Sequence, residues 1–314
     1  MGKIIVSKEK DEIFGNLISI TNGIVELKAT LDYGPRILAY NFVGMENMLF
    51  TDPTKSLELD SGSSIFGEEK FKIIGGHRLM ISPEIMPRAY YPDTHPVELI
   101  EKANGISLTA PYEEINHIQK SLHITLSEDS SSVEVLQQIQ NCGTWDLEFA
   151  VWGLTVMAQG GIEVIAHSQR KTGFLANRLI ALWDYTQVHD ERAFFGDKYI
   201  TLKQDPTNTR PFKIGTNNEP GWAAYFNKNQ LFIKHHIHVI DANYPDFGFC
   251  SYETYTNNHI LELETIGPLT KVAPMDFVTT IEQWDLYKED YIPSKDEDEI
   301  ESVLAKYLDI PVTE

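Results

Sequence analysis

The segment from His259 to Leu286 constrains the fold most, because its residues alternate with the period of a β-strand. It opens with Leu-Glu-Leu-Glu-Thr, and successive side chains of a strand point to opposite faces of a sheet. Glu262 and Glu264 are therefore predicted to share a face. A Gly-Pro pair then interrupts the strand, and a β-branched run ending at Trp284 supplies a second one. The segment predicts a strand, a connection and another strand.

Short β-runs separated by turn residues recur from Lys3 to Leu286. Turn signals such as Asn22-Gly23 and Gly34-Pro35 stand between them. There is little sign of the helices that connect parallel strands. We therefore expect an all-β protein built from long antiparallel sheet, with residues 1–314 forming one domain.

The C-terminal tail has helical periodicity instead. Ser294 is a candidate N-cap with Glu297 three residues later. Apolar residues then recur at helical spacing, namely Ile300, Val303, Leu304, Tyr307 and Leu308. We expect an amphipathic helix over about residues 294–309, packed on the sheet.

Charge and composition exclude several classes of partner. The 314 residues include 26 basic and 46 acidic side chains, a formal net charge of −20, which repels nucleic-acid phosphates and anionic membranes. We find no apolar run of transmembrane length and no secretory signal. Cys142 and Cys250 alone cannot form a disulfide framework. We expect a cytoplasmic protein that binds neither nucleic acid nor membrane. The sequence does not determine its oligomeric state.

Candidate site residues lie near predicted strand ends. Gly75-Gly76 lead directly to His77 and Arg78, and paired glycines let a ligand approach closely, although an ordinary turn would look the same. Trp152, in an apolar run, suits either the core or a platform for a sugar ring. Glu262 and Glu264 could form an acid-base pair or simply face solvent.

Metal and phosphate chemistry receive little support from the motifs. His236 and His238 share one face of the predicted strand KHHIHV, and such a pair could grip a metal. However, no Cys or Glu follows at a metal-site interval. The chain has no phosphate-binding glycine loop and no Gly-X-Ser-X-Gly turn. We expect no metal and no other cofactor. The remaining aromatic, basic and acidic groups are those that bind sugar hydroxyls and stack on sugar rings.

Four segments together resemble the galactose mutarotase (aldose 1-epimerase) superfamily, and within it a branch defined only as a domain of unknown function. They are GPRIL (Gly34–Leu38), GGHRLMISPE (Gly75–Glu84), YPDFGFCSYETYTN (Tyr244–Asn257) and LELETIGPLTKVAPMDFVTTIEQW (Leu261–Trp284). The resemblance covers about residues 10–286 and implies a large antiparallel β-supersandwich.

The resemblance also implies residue roles. The glutamate of its Leu-Glu-Thr segment, here Glu264, is the general base on the anomeric hydroxyl, and His77 and Arg78 would face the sugar. The segment that carries the general-acid histidine in galactose mutarotases has no histidine here and offers Trp152 instead. We take His77 as the catalytic partner of Glu264, while His95, His236 and His238 stay open. The expected sugar-binding residues are Arg78, Glu84, His95, Trp152, His236, Tyr244, Asp246 and Glu262.

The sequence therefore favours a protein that binds a small sugar or sugar derivative. The expected activity is interconversion of sugar anomers by general acid-base catalysis. A non-catalytic carbohydrate-recognition protein on the same fold is the alternative, since fold does not determine function. A metal-dependent enzyme that uses His236 and His238 is a third class.

Overall fold

The computed structural model describes residues 3–59, 65–67 and 69–310, and the regular secondary structure of these residues is almost entirely antiparallel β-strand. Within them the strands build an 11-stranded sheet, a 10-stranded sheet and a two-stranded one. The predicted all-β class is thus confirmed. No helix in the described part of the chain is long and apolar enough to cross a membrane.

Twenty-three strands are defined among the described residues. The first eleven are β1 (Ile5–Asp11), β2 (Gly15–Thr21), β3 (Val25–Thr30), β4 (Arg36–Phe42), β5 (Glu58–Leu59), β6 (Phe71–Lys72), β7 (Gly76–Ser82), β8 (Glu98–Lys102), β9 (Gly105–Thr109), β10 (Ile118–Leu126) and β11 (Val133–Asn141). The others are β12 (Leu147–Met157), β13 (Ile162–Ala166), β14 (Ile180–Leu182), β15 (Ala193–Phe195), β16 (Tyr199–Lys203), β17 (Phe212–Thr216), β18 (Trp222–Asn227), β19 (Gln230–His236), β20 (Tyr252–Thr256), β21 (Leu261–Ile266), β22 (Thr270–Val272) and β23 (Phe277–Lys288).

The order of strands brings distant parts of the chain together. The first sheet runs β1-β2-β3-β4-β7-β12-β21-β20-β17-β14, with β22 pairing with the start of β12. The second runs β15-β16-β13-β18-β19-β23-β11-β10-β9-β8. Strands β7, β12, β21, β20 and β17 are therefore neighbours, although they span more than half of the sequence.

The main core lies between the two sheets. Leu79, Val151 and Leu263 of the first sheet pack in one buried cluster with Phe232 and Trp284 of the second. Because side chains alternate along a strand, the neighbours of the first three residues must point to the outer face of the first sheet, away from the second. That outer face carries its own smaller apolar cluster, which includes Met80, Trp152, Leu154 and Ile266.

The outer face of the second sheet is covered by the helix α1 (Glu297–Leu304). Ile300 and Leu304 pack there on the sheet, as predicted. The helix is shorter than the predicted 294–309, because Asp296 rather than Ser294 is the N-cap and accepts the backbone N–H groups of residues 298 and 299. Turns replace the helix after Leu304.

The register of the strands arranges the side chains on the outer face of the first sheet in rows. Arg78 is paired with Leu154, Leu154 with Glu264, and Glu264 with Glu253. Directly paired residues of antiparallel strands share a face, so these four side chains lie on one side of the sheet. The adjacent row contains Glu262, Tyr255 and Lys213.

Candidate active site

Glu264 lies at the centre of a buried polar cluster on the outer face of the first sheet. Its Oε2 accepts hydrogen bonds from Trp152 Nε1 at 3.0 Å and from Lys213 Nζ at 3.1 Å. Burial raises the pKa of Glu264, Lys213 opposes that shift, and Glu84 adds to it. A fixed carboxyl group with increased proton affinity has the properties that a general base needs.

Lys213 ties three carboxyl groups together. Its Nζ lies 2.8 Å from Glu253 Oε2, 3.1 Å from Glu264 Oε2 and 3.5 Å from Glu84 Oε2. Burial opposes the charge on this ammonium, but the carboxylates outweigh burial and raise the pKa of Lys213 well above its usual value. Lys213 therefore remains a cation and partly neutralises the cluster.

Arg78 and Glu262 form a second pair beside the first. Arg78 Nη2 lies 3.8 Å from Glu262 Oε1, and the guanidinium lies 4.4 Å from the centre of the Phe71 ring. Arg78 Nε and Nη1 and Glu262 Oε1 are buried without a hydrogen-bond partner among the described residues. Burial and the nearby Glu264 raise the pKa of Glu262 to about 7, against the opposing effect of Arg78. Glu262 can therefore donate or accept a proton near neutral pH.

Glu84 and Asp246 reach the cluster from loops. Glu84 contacts Lys213 and accepts a hydrogen bond from the Tyr90 hydroxyl through Oε1. Burial raises the pKa of Asp246, whereas the nearby Glu253 and Lys213 oppose that shift. Both loops thus add a carboxyl group to the cluster.

Trp152 is a core residue that positions Glu264, and it is not an exposed platform for a sugar ring. The side chain is 3% exposed and packs in the apolar cluster of the outer face. Its indole N–H is bonded to Glu264. Tyr244 is buried in the same apolar cluster, and its hydroxyl accepts the N–H of Val239 at 2.8 Å. Tyr244 thus supports a loop beside the polar cluster around Glu264.

His77 lies on the opposite face of β7 from Arg78, so its expected partnership with Glu264 is corrected. The ring is fully buried between the two sheets, where Nδ1 is hydrogen bonded to Thr155 Oγ1 at 2.9 Å. It also packs edge-on against Trp284, with centroids 4.9 Å apart. Burial lowers the pKa of His77 to about 3. The sheet itself separates this neutral core histidine from any substrate at Glu264.

His95 also lies outside the Glu264 cluster, so its expected contact with the same sugar is corrected. It is exposed, 3.9 Å from Glu69, and lines a separate cavity of about 270 Å³. Glu113 and Lys120 also line that cavity, whereas none of the carboxyl groups around Glu264 does.

His236 belongs to the second sheet, and its expected place in the Glu264 site is likewise corrected. Its ring stacks on Tyr252 of the inner core, with centroids 5.7 Å apart. Burial lowers its pKa to about 3. His238, the second histidine of the metal hypothesis, is hydrogen bonded to Ser251 Oγ at 2.7 Å and stacks on Tyr244. Among the described residues, no group of three or more His, Cys, Asp or Glu side chains is arranged to hold a metal ion.

Four residues of the site escaped sequence reasoning. Lys213 and Glu253 provide the central ion pair, and Trp183 lies with its ring centre 4.9 Å from Lys213 Nζ, within the range of a cation–π interaction. Tyr185 lies close enough to Lys213 and Glu264 for their charges to affect its pKa, which Lys213 lowers and Glu264 raises. The sequence does contain a signal for two of them. Lys213 stands between Phe212 and Ile214, and Glu253 stands between Tyr252 and Tyr255 in β20.

Comparison with solved structures identifies the fold. A galactose mutarotase-like protein from Lactobacillus casei matches with a TM-score of 0.57 and 8% identity, over 86% of this chain and 100% of that chain. A galactose mutarotase-like protein from Clostridium acetobutylicum matches with a TM-score of 0.56 and 8% identity, over 91% and 99%. A proposed aldose 1-epimerase from Klebsiella pneumoniae matches with a TM-score of 0.56 and 12% identity, over 93% and 83%.

No protein-family model and no curated protein sequence matches the chain. At such low identities the likeness to solved structures concerns the fold, which by itself does not determine the chemistry. The two packed antiparallel sheets, their short C-terminal helix and these structural matches lead to one conclusion: the chain has the galactose mutarotase-like β-sandwich fold.

Proposed function

We propose that the chain binds a small sugar at the cluster around Glu264 and interconverts its two anomers. One observation carries the proposal: two buried carboxyl groups of raised proton affinity, Glu262 and Glu264, lie on one face of one strand. Arg78 stands next to the first, and Lys213 next to the second. Acid-base exchange at a hemiacetal needs a proton acceptor and a proton donor held in one site.

Glu264 is the base of the proposed reaction. It removes the proton from the anomeric hydroxyl as the bond between the anomeric carbon and the ring oxygen breaks, and an open-chain aldehyde forms. Trp152 and Lys213 both bond to Oε2. These contacts fix the orientation of the carboxyl group, and this reduces the entropy that is lost on reaching the transition state.

Glu262 is the acid of the proposed reaction, in place of the histidine that the sequence resemblance implies. Its pKa of about 7 leaves a substantial protonated fraction at neutral pH. The protonated carboxyl group gives its proton to the ring oxygen as the ring opens. Rotation about the bond beside the aldehyde and reversal of both proton transfers then close the other anomer, so that both carboxyl groups regain their starting state.

Arg78 and the loop residues bind the substrate in this proposal. Arg78 Nε and Nη1 have no partner within the described part of the chain and are suited to donate to sugar hydroxyl or ring oxygens. Trp183 and Tyr185 are more exposed than Trp152 and offer aromatic surface beside Lys213. Aromatic rings commonly pack on the apolar faces of ligands.

A non-catalytic carbohydrate-recognition protein is the second candidate, and a specific observation favours it. Lys213 lies 3.1 Å from Glu264 and stabilises its charged form, which makes the carboxylate a weaker base. In addition, none of the predicted histidines, His77, His95 and His236, joins Glu264 on its face of the sheet.

The rate of anomer exchange separates the two candidates. Exchange spectroscopy by NMR on equilibrated hexoses and pentoses measures the rate constant with and without the protein, and calorimetry measures binding of the same sugars. If the protein is an enzyme, the rate constant of anomer exchange should rise in proportion to protein concentration for at least one sugar. Sugar binding with only the spontaneous rate would instead support the recognition protein.

A further inference from the structure

We infer that this site selects a sugar with a free amino group, such as a hexosamine, over the neutral parent sugar and over sugar phosphates. The inference rests on the proposed function, because it names the substrate class of the same site. It is drawn from the balance of charge and from the unpartnered atoms in the cluster.

Carboxyl groups outnumber cations in the cluster. Five carboxyl groups from two strands and two loops face two cations within the described residues: Glu84, Asp246, Glu253, Glu262 and Glu264 against Lys213 and Arg78. Three tyrosines, Tyr90, Tyr185 and Tyr255, lie close enough for charges of the cluster to affect their pKa values. The nearby Arg36 is already paired with Asp93 at 2.7 Å.

The excess carboxyl groups are incompletely satisfied. Glu253 Oε1 and Glu262 Oε1 are buried and have no hydrogen-bond partner in the described part of the chain, and both side chains are more than nine-tenths buried. Buried acceptors without a donor are costly. A ligand that brings positively charged N–H donors removes that cost, whereas a neutral hydroxyl group compensates for less of it.

The carboxyl groups of Asp246 and Glu253 suggest where the amine is received. Burial raises the pKa of both, and Glu253 Oε1 has no hydrogen-bond partner among the described residues. Glu84 and Asp246 are the members of the cluster that are not fully buried, so a ligand entering from solvent meets them first. An ammonium group there donates to both carboxyl groups and favours their charged forms, so that a proton held by them is released.

The same charges exclude anionic ligands. A phosphate or carboxylate on the sugar would have to approach several buried carboxyl groups, and like charges at short range repel strongly in a low-dielectric site. Lys213 cannot counter this effect, because its ammonium is already shared by Glu84, Glu253 and Glu264. Within the described residues, Arg78 is the one further cation of the cluster, and its charge is already opposed by the adjacent Glu262.

Calorimetric titration of the full chain with matched ligands tests the inference. The ligands are galactosamine, galactose, N-acetylgalactosamine and galactose 6-phosphate, together with the corresponding glucose and mannose series, at low salt and about pH 6, where the amine is protonated. We expect the amino sugar of at least one series to bind about tenfold or more tightly than its neutral parent. Acetylation should abolish this advantage, and the phosphate should bind more weakly than the parent.

Two substitutions locate the effect. Asp246→Asn should lower the ratio of amino-sugar to neutral-sugar affinity by about fivefold or more, since it removes one charged acceptor. Asp197→Asn is the matched control: it changes the net charge equally, but its side chain is 97% exposed and lies outside the cluster. The control should leave the ratio unchanged, because the interaction of a distant exposed charge with the ligand is weakened by the high dielectric constant of water.

Proton release gives an independent reading. Titrations in buffers of different ionisation enthalpy should show release of a proton when the amino sugar binds, and less when the neutral sugar binds. Neutral and amino sugars that bind equally in every series, or a phosphate that binds more tightly than either, would overturn the inference alone. If no sugar of any class binds, the proposed function fails and the inference fails with it.

Discussion

Trp152 Nε1 lies 3.0 Å from Glu264 Oε2, so an indole donates a hydrogen bond to the carboxyl group at the centre of the candidate site. This tryptophan stands in the segment where the resemblance to galactose mutarotases implies a general-acid histidine. An indole N–H can donate a hydrogen bond, but it is too weak an acid to transfer its proton near neutral pH. The residue therefore positions the proposed base and leaves the role of acid to another group.

Replacement of Trp152 by Phe should shift the pH dependence of the reaction. The hydrogen bond to the indole lowers the pKa of Glu264, so its loss raises that pKa, and the acid limb of the rate profile moves to higher pH. We expect the rate at neutral pH to fall by about tenfold. The pH dependence of anomer exchange measures this, and Trp145→Phe, which changes an indole that is 81% exposed, is the control. An unshifted acid limb would contradict the positioning role.

Replacement of Lys213 by Met should destabilise the fold most at neutral pH. Loss of one partner from a buried ion pair costs about 3–5 kcal/mol of unfolding free energy, because Glu253 and Glu264 are left as unpaired buried charges. Their pKa values lie above the unfolded value, so the penalty is present above about pH 4.5 and fades as the pH falls and they protonate.

Urea denaturation at about pH 7 and about pH 4.5 measures the effect of Lys213→Met. The control is Lys271→Met, which breaks the exposed 2.8 Å pair with Asp146 and should change stability little at either pH. A loss for Lys213→Met that is equal at both pH values would mean that unpaired carboxylates are not its cause.

Replacement of Glu262 by Gln should remove the alkaline limb of the rate profile. The proposed acid acts in its protonated form, and its pKa is about 7, so the wild-type rate should fall as the pH rises through that value. The amide is far too weak an acid to give a proton to the ring oxygen, and we expect a loss of about a hundredfold at the optimum. A variant that keeps both the rate and the alkaline limb would assign the acid elsewhere, with Glu253 or Asp246 as the next groups to test.

Replacement of His77 by Gln should alter stability rather than sugar chemistry. The pKa of the buried ring is lowered from 6.5 to about 3, so the neutral ring contributes stability above about pH 6.5 that is lost as the pH falls towards 3. Over that window the wild type should lose about 1.4 kcal/mol more per pH unit than His77→Gln. Denaturation at several pH values measures the slopes. A variant of normal stability that lacks anomer exchange would restore a catalytic role for His77.

Local patterns in the sequence predicted much of the sheet and part of the site. The alternation in β21 correctly placed Glu262 and Glu264 on one face. The same rule, applied to the adjacent His77 and Arg78, requires opposite faces, and only Arg78 shares a face with Glu264. The error over His77 therefore came from carrying over a family role against a pattern that the strand itself displays.

The remaining members of the site depend on strand order, which local patterns do not contain. Lys213 is 51 residues from Glu264, and Trp152 is 112 residues from it. They meet because β12 and β20 flank β21, and β17 lies next to β20. The ion pair of Lys213 and Glu253 arises from register between two of these strands and could not be read from either strand alone.

The most direct measurement is the rate of anomer exchange for Glu264→Gln beside the wild type. The amide nearly preserves the shape of the side chain and can still accept from Trp152 and Lys213, but it cannot serve as a base. Polarimetry or NMR on freshly dissolved sugar gives the rate, and calorimetry gives the affinity. We predict a loss of about a hundredfold or more in rate with binding kept within about tenfold. Equal rates for the two proteins would contradict the account and move the base elsewhere, first to Glu262.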